Sequence, residues 1–363
     1  MSRVLLVGRG PPERGGISAY MLGLQNGPLA GEHQMRLLNL TRKEAPPGGR
    51  LTGRNVTRTF TDTFALLRAP SADIVHINTA LVPTVTLVRA ALLVLAGRVR
   101  LRKVVLHVHS GKVQLWLTNS VRRSLVKVAL AGAHRVVAVS EGAHEALRSS
   151  VSPKRLRNIP NGVDVERFGP PEEPHDPPRI LYVGLLTPRK GVIDLFAASR
   201  MLHKRGVDHQ VVVAGGTPDE GPGAEAEVRA AAPPEIELVG SRPHEDMIDL
   251  YRSADVFCLP SWWEAMPLTV LEAMATGLPV VATNVGDISS MLGGGTAGEL
   301  VPARNPLALA NALEKFLTDP GLRRQHGTEG RRRAETAYAI EANAAAVGEI
   351  YEDLNPRGRR TDL

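Results

Sequence analysis

At 363 residues the chain exceeds the usual size of one hydrophobic core, so two domains are expected. With 43% apolar and 22% charged residues it has the composition of a globular protein, which excludes disordered and fibrous classes. Its net charge of +7 hides an asymmetry: residues 1–170 carry 25 basic and 9 acidic side chains, residues 171–363 carry 19 and 28. A basic half can mark a nucleic-acid footprint, a contact with anionic lipid or a well-solvated surface.

The chain opens with Arg3-Val-Leu-Leu-Val-Gly-Arg, where charge and glycine come too early for a signal peptide. Apolar runs of strand length follow at 4–7, 35–40, 73–78, 103–109, 135–139 and 155–160, separated by longer, helix-like segments. This is the βα rhythm of a parallel sheet. The most apolar stretch, 81–97, is interrupted by Arg89 and is short for a membrane span. The single cysteine, Cys258, lies in an apolar run and cannot form an internal disulfide, which fits a reducing compartment. A cytoplasmic protein is expected, peripheral at most on the inner face of a membrane.

Residues 169–178 are dense in proline and polar groups and read as an interdomain linker. The rhythm restarts with strand-like runs at 179–183, 210–214, 235–239, 255–260 and 279–283. The expected fold is therefore α/β, with two Rossmann-like doubly wound domains facing across a cleft, at 1–170 and 171–335. Ligands in such sheets sit beyond the carboxyl ends of the strands. Residues from about 331 to 354 read as one helix, followed by a basic tail.

Four constellations could carry chemistry. After the first strand, Gly8-Arg-Gly10-Pro-Pro-Glu13-Arg-Gly15-Gly16 has Glu13 where a dinucleotide fingerprint needs its third glycine, so it is not one. Gly15 and Gly16 still allow a ligand to approach a helix N-terminus, although a plain strand-to-helix turn would look the same. His107 and His109 share one face of a strand, with His109 nearer its carboxyl end and so nearer any ligand; His107 reads as a packing histidine. No third ligand of suitable type is evident beside them, so no metal is expected. Arg189 and Lys190 are adjacent cations in a loop after a strand, either simply exposed or placed to hold a diphosphate. Finally Glu264 and Glu272 lie eight residues apart, one before Pro267 and one about a turn inside an apolar helical run. They flank a helix N-terminus suited to phosphate, with carboxylates suited to hydroxyls: a sugar attached to phosphate.

In their order these motifs resemble the retaining GT-B glycosyltransferases of family 4 (glycosyl transferases group 1), over nearly the whole chain. The resemblance rests on Gly15-Gly16, His109-Ser-Gly111, Val139-Ser-Glu141, Ile159-Pro-Asn161-Gly-Val-Asp164, Gly184 to Lys190-Gly191, and the paired glutamates. It implies an N-terminal acceptor-binding domain, a C-terminal nucleotide-sugar-binding domain, and a final helix within 336–363 that packs back on the first. It implies sugar transfer from a nucleoside-diphosphate sugar to an acceptor hydroxyl with retention, needing no metal and no other cofactor. His109, Lys190 and Glu264 would act at the reaction centre. Gly16, Arg189, Lys190, Arg242, Met266, Pro267, Leu268 and Glu272 would bind the donor, with Gly15, Gly16 and His109 on the acceptor side. Two positions depart from the pattern. Leu185 replaces a common arginine, which Arg189 could offset, and Asp287 follows Gly286 where a further glycine and a glutamate are usual.

The same two-lobed architecture also serves epimerases, phosphorylases and non-catalytic sugar-nucleotide binders. The basic first half mixes Arg98, Arg100, Arg102, Lys103, Arg122, Arg123 and Lys127 with apolar residues such as Leu117, Leu125 and Val128. That mixture suits an anionic membrane and a lipid-linked or saccharide acceptor, as in cell-surface polysaccharide or glycolipid assembly. Few aromatics and no recognisable motif argue against nucleic acid.

Overall fold

The computed structural model describes residues 1–12, 15–41, 51–170, 174–217, 221–243 and 245–356. Glu13 of the glycine-rich turn, residues 171–173 of the proline-rich stretch and the basic tail from 357 lie outside them. Two compact units result: Met1–Asn161 with the segment from Ile340, and Gly162–Ala339.

In the first unit six strands form one parallel sheet: β1 (Arg3–Gly8), β2 (Gln34–Asn39), β3 (Ile74–Thr79), β4 (Lys103–Val108), β5 (Arg135–Ala138) and β6 (Leu156–Asn158). Their order is β2-β1-β3-β4-β5-β6. The central strands are largely apolar because helices cover both faces; Leu6, Val7, Ile77, Val105 and Leu106 are wholly buried, and His76, Asn78 and His107 are buried among them. The chain leaves β1 for β2 on one side and then crosses to β3 on the other, so the sheet reverses direction between β1 and β3.

The second unit repeats the plan with β7 (Arg179–Val183), β8 (Gln210–Ala214), β9 (Ile236–Gly240), β10 (Val256–Leu259), β11 (Val280–Thr283) and β12 (Gly298–Val301), all parallel. Their order, β12-β11-β10-β7-β8-β9, puts the reversal between β7 and β10.

The structure differs from the sequence expectations in four places. The first unit ends at Asn161, not at 170, because Val163 N–H donates to the Tyr338 carbonyl (2.8 Å) and Arg331 Nη1 donates to the Phe168 carbonyl (2.8 Å), which ties 163–168 to the second unit. The helix expected across 331–354 is two, Pro320–Ala337 and Ile340–Leu354; Tyr338 leaves helical geometry at φ −134°, ψ 18° as its carbonyl accepts from Val163. Strand β12 was not expected, since Gly298-Glu-Leu-Val is too short and mixed to stand out. Arg102 and Leu117 are buried, not on a surface: the Arg102 guanidinium donates to the Ala69 and Pro70 carbonyls at 2.8 and 3.0 Å.

The helix Ile340–Leu354 belongs to the first unit. Buried Tyr351 places its hydroxyl 2.6 Å from His76 Nδ1, Asn343 Nδ2 donates to the Pro160 carbonyl at 2.6 Å, and Asn355 Nδ2 donates to Ser2 Oγ at 3.1 Å.

Candidate functional site

Lys190 ends the short 3-10 turn Pro188–Lys190 that follows β7, and Glu264 lies in the loop that follows β10. The two strands are neighbours at the point where sheet order reverses, where open α/β sheets bind ligands. Lys190 Nζ lies 2.5 Å from Glu264 Oε1, and the two side chains are 16% and 11% exposed. A charge pair this shielded from water holds both groups firmly.

The surrounding backbone fixes that approach. Gly191, directly after Lys190, has φ +71°, and a Cβ there would meet the Pro260 carbonyl oxygen at 1.9 Å, so the two loops can close together only with glycine. Trp262 N–H donates to the Arg189 carbonyl (2.9 Å), and its indole Nε1 donates to Asp194 Oδ2 (2.9 Å) on the helix Val192–Lys204. Arg304 lies over the Trp262 ring at 4.2 Å, and Arg189 near the Trp263 ring at 5.8 Å. Gly286, at φ +58°, packs its backbone against the Glu264 and Ala265 carbonyls, and Asp287 N–H donates to the Ala265 carbonyl at 2.9 Å. Leu185 contributes no charge; its carbonyl accepts from the Tyr182 hydroxyl at 3.0 Å, a phenol whose pKa is raised by burial and then by Glu264.

Glu272 occupies the helix Leu268–Thr276, with Pro267 at its N-cap. Its carboxylate is buried and accepts from the Tyr251 hydroxyl at 2.7 Å. Burial pushes its pKa up, opposed by the Tyr251 hydrogen bond and by the charge of Arg167. Met266 is buried, and Pro267 and Leu268 are half-buried at the helix entrance. Arg242 is exposed in the loop after edge strand β9, two strands from β7. Lys190 and Glu264 are thus in contact, Glu272 stands on the helix that follows the Glu264 loop, and Arg242 lies apart from them at the sheet edge.

In the first unit, Gly15 caps the helix Gly16–Asn26 and a Cβ at either glycine would meet open space, leaving the first N–H groups approachable. His109 follows β4. Its Nε2 lies 2.9 Å from Asn78 Oδ1 and its ring stacks on His107 at 4.4 Å. His107 Nδ1 is 3.1 Å from His76 Nε2, and His76 in turn meets Tyr351. Burial pushes His76 and His109 down to about 3 and holds His107 well below the usual imidazole range, so all three are neutral near pH 7 and His109 donates to Asn78 through Nε2. His107 is a packing residue with one ring nitrogen, Nε2, that has no partner.

Sequence reasoning did not single out His76, Asn78, Asp194, Tyr251 or the tryptophans. Two signals were available: His76 and Asn78 alternate on β3 as His107 and His109 do one strand over, and two of the chain's three tryptophans are adjacent.

Two doubly wound α/β units, the second carrying an acid–base pair at its switch point, define a protein of the GT-B class. A family model described as "Glycosyltransferase Family 4" matches residues 14–167, and one described as "Glycosyl transferases group 1" matches 165–333. The chain belongs to the family 4-like GT-B glycosyltransferases. It is 33% identical over 225 residues to a D-inositol 3-phosphate glycosyltransferase of Corynebacterium jeikeium, covering 56% of this chain and 53% of that one. It is 32% identical over 218 residues to a lipopolysaccharide core biosynthesis mannosyltransferase of Rhizobium meliloti, covering 54% and 60%. The chain therefore spans little more than half the length of these curated relatives. The same fold occurs in a sucrose-phosphate synthase from Thermosynechococcus elongatus (TM-score 0.79, 24% identity, 98% of this chain and 100% of that one). It also occurs in the HepE protein of Anabaena in complex with UDP and glucose (TM-score 0.74, 14% identity, 97% and 100%).

Proposed function

We propose that the chain is a retaining glycosyltransferase that moves a sugar from a nucleoside-diphosphate sugar to an acceptor hydroxyl, without a metal ion. The observation that carries this reading is the Lys190–Glu264 pair at the β7/β10 switch point. On donor binding, Lys190 exchanges Glu264 for the diphosphate, assisted by Arg189, and the freed carboxylate accepts hydrogen bonds from the donor sugar. Glu272 receives the ribose hydroxyls, while Met266, Pro267 and Leu268 present backbone to sugar and phosphate. Arg242 lies nearest the base, and His109 with Gly15 and Gly16 serves the acceptor side.

In the reaction the anomeric carbon–phosphate oxygen bond breaks and the acceptor oxygen bonds to the same face of that carbon. The acceptor proton passes to the departing diphosphate. Lys190 stabilises the charge that grows on that diphosphate, which lowers the barrier because the cation is already in position. No side chain serves as a covalent nucleophile.

The relatives' names favour a lipid-linked, polyol-phosphate or saccharide acceptor, as in cell-surface polysaccharide or glycolipid assembly. The UDP bound by the HepE protein makes uridine the first donor base to try. The test is nucleotide release from a panel of sugar nucleotides, with and without acceptor alcohols and with a chelator present. Acceptor-dependent release and an axial-to-axial product are expected. Conversion of donor without acceptor, or no release with any donor, rejects the reading.

A further inference from the structure

Of the fourteen large apolar side chains exposed among the described residues, twelve lie between residues 51 and 128, and only Leu307 belongs to the second unit. Nine of these twelve fall on three helices of the first unit: Gly53–Arg68, Thr84–Val99 and Ser120–Ala129. The second of these packs against both others. On each helix the exposed residues repeat at helical spacing and so form a stripe: Val56, Phe60 and Phe64; Val88, Leu95 and Val99; Val121, Leu125 and Val128. Beside them Leu101, in left-handed geometry at φ 55°, is 94% exposed.

A patch of this extent is uncommon on a protein that faces only water. Its charge is one-sided as well. Residues 51–129 contain twelve Lys and Arg but only Asp62 and Asp73. Asp62 is buried beside Arg58 and Arg89, and Asp73 is paired with Arg3 at 2.8 Å. The exposed charges among the stripes are all cations: Arg54, Arg68, Arg98, Arg100, Lys103, Arg123 and Lys127.

We propose that this three-helix layer is a docking surface for an anionic lipid bilayer. Apolar stripes enter the headgroup boundary while the interleaved cations meet acidic headgroups, which is the chemistry of an interfacial surface and not of a span. No helix among the described residues is long and apolar enough to cross a membrane. The argument stands on the surface alone and does not depend on sugar transfer.

The full chain is mixed with vesicles of phosphatidylcholine alone or with phosphatidylglycerol, without donor or acceptor, and bound protein is read by flotation. Binding is expected only with phosphatidylglycerol, and weakened by salt. The variant Phe60→Ser/Leu95→Ser/Val128→Ser, one change per helix at exposed positions, should bind about tenfold more weakly. Arg123→Glu/Lys127→Glu should lose about fivefold or more per site. Thermal melts equal to wild type keep both variants interpretable. Equal binding to both vesicles, no binding to either, or a wild-type dimer that the apolar variant dissolves would each overturn the proposal, the last in favour of a second copy of the chain.

Discussion

Lys190 and Glu264 hold one another at 2.5 Å from loops that leave two adjacent parallel strands, β7 and β10, where the strand order reverses. Each therefore neutralises the other. In the proposed reaction, removing the cation takes away stabilisation of a leaving diphosphate, so Lys190→Ala should lower the rate of nucleotide release about 10²- to 10³-fold. Glu264→Gln keeps a hydrogen-bond acceptor but loses the charge that holds the free lysine. It should weaken donor binding less than it lowers turnover. Steady-state kinetics on both variants give the answer, and wild-type turnover in Lys190→Ala would remove the assignment.

Glu272 is bound to Tyr251 in a buried setting. Glu272→Gln retains an acceptor for the phenol, so the fold should persist while KM for the donor rises about tenfold, the size of one charge-assisted hydrogen bond. Tyr251→Phe should instead cost about 1–3 kcal/mol of stability by leaving the carboxylate short of a donor, which urea unfolding measures. A KM unchanged in Glu272→Gln would make this residue a packing element only.

Gly191 tests the loop geometry separately from the chemistry. Alanine there must adopt φ +71° and push its Cβ into the Pro260 carbonyl. Gly191→Ala should cost about 2–4 kcal/mol and lower turnover as well, because Lys190 moves away from the Glu264 loop. Full stability in this variant would show that the loops can separate freely.

The histidine cluster predicts acid sensitivity in the first unit. His76 titrates near 6.5 when unfolded but at about 3 when folded, so the unfolded chain binds the proton first. The stability this represents is complete above pH 6.5 and is lost as pH falls toward 3, with about 2 kcal/mol gone by pH 5 from His76 alone. His107 and His109 shift in the same direction. Glu272 has the opposite sign: with its folded pKa raised, its contribution declines as pH rises through the carboxylate range. Urea midpoints between pH 7 and 5 should fall, with loss of Tyr351 fluorescence anisotropy or of protection in the Ile340–Leu354 helix as the local readout. A flat profile contradicts a neutral cluster.

The two sheets were legible because apolar runs of strand length recur along the chain, and the Lys190, Glu264 and Glu272 segments stood out only through their context and motif order, since a loop cation or two acids eight residues apart recur by chance. Strand β12 was not legible, since four residues with a glycine and a glutamate carry no period. Nor was the break at Tyr338, which depends on a partner, Val163, far away in sequence. Arg102 read as surface because an arginine among arginines normally is; only the Ala69 and Pro70 carbonyls, brought close by the fold, make its burial tolerable.

Because the helix Ile340–Leu354 completes the first unit while Gly162–Ala339 forms the second, the segment 1–161 cannot finish its core until a helix that lies beyond the whole second unit has emerged from the ribosome. His76 waits, during synthesis, for a tyrosine translated 275 positions later. A truncation at residue 339 would leave the second unit whole and the first with an open wall, so the two units should part company in protease resistance.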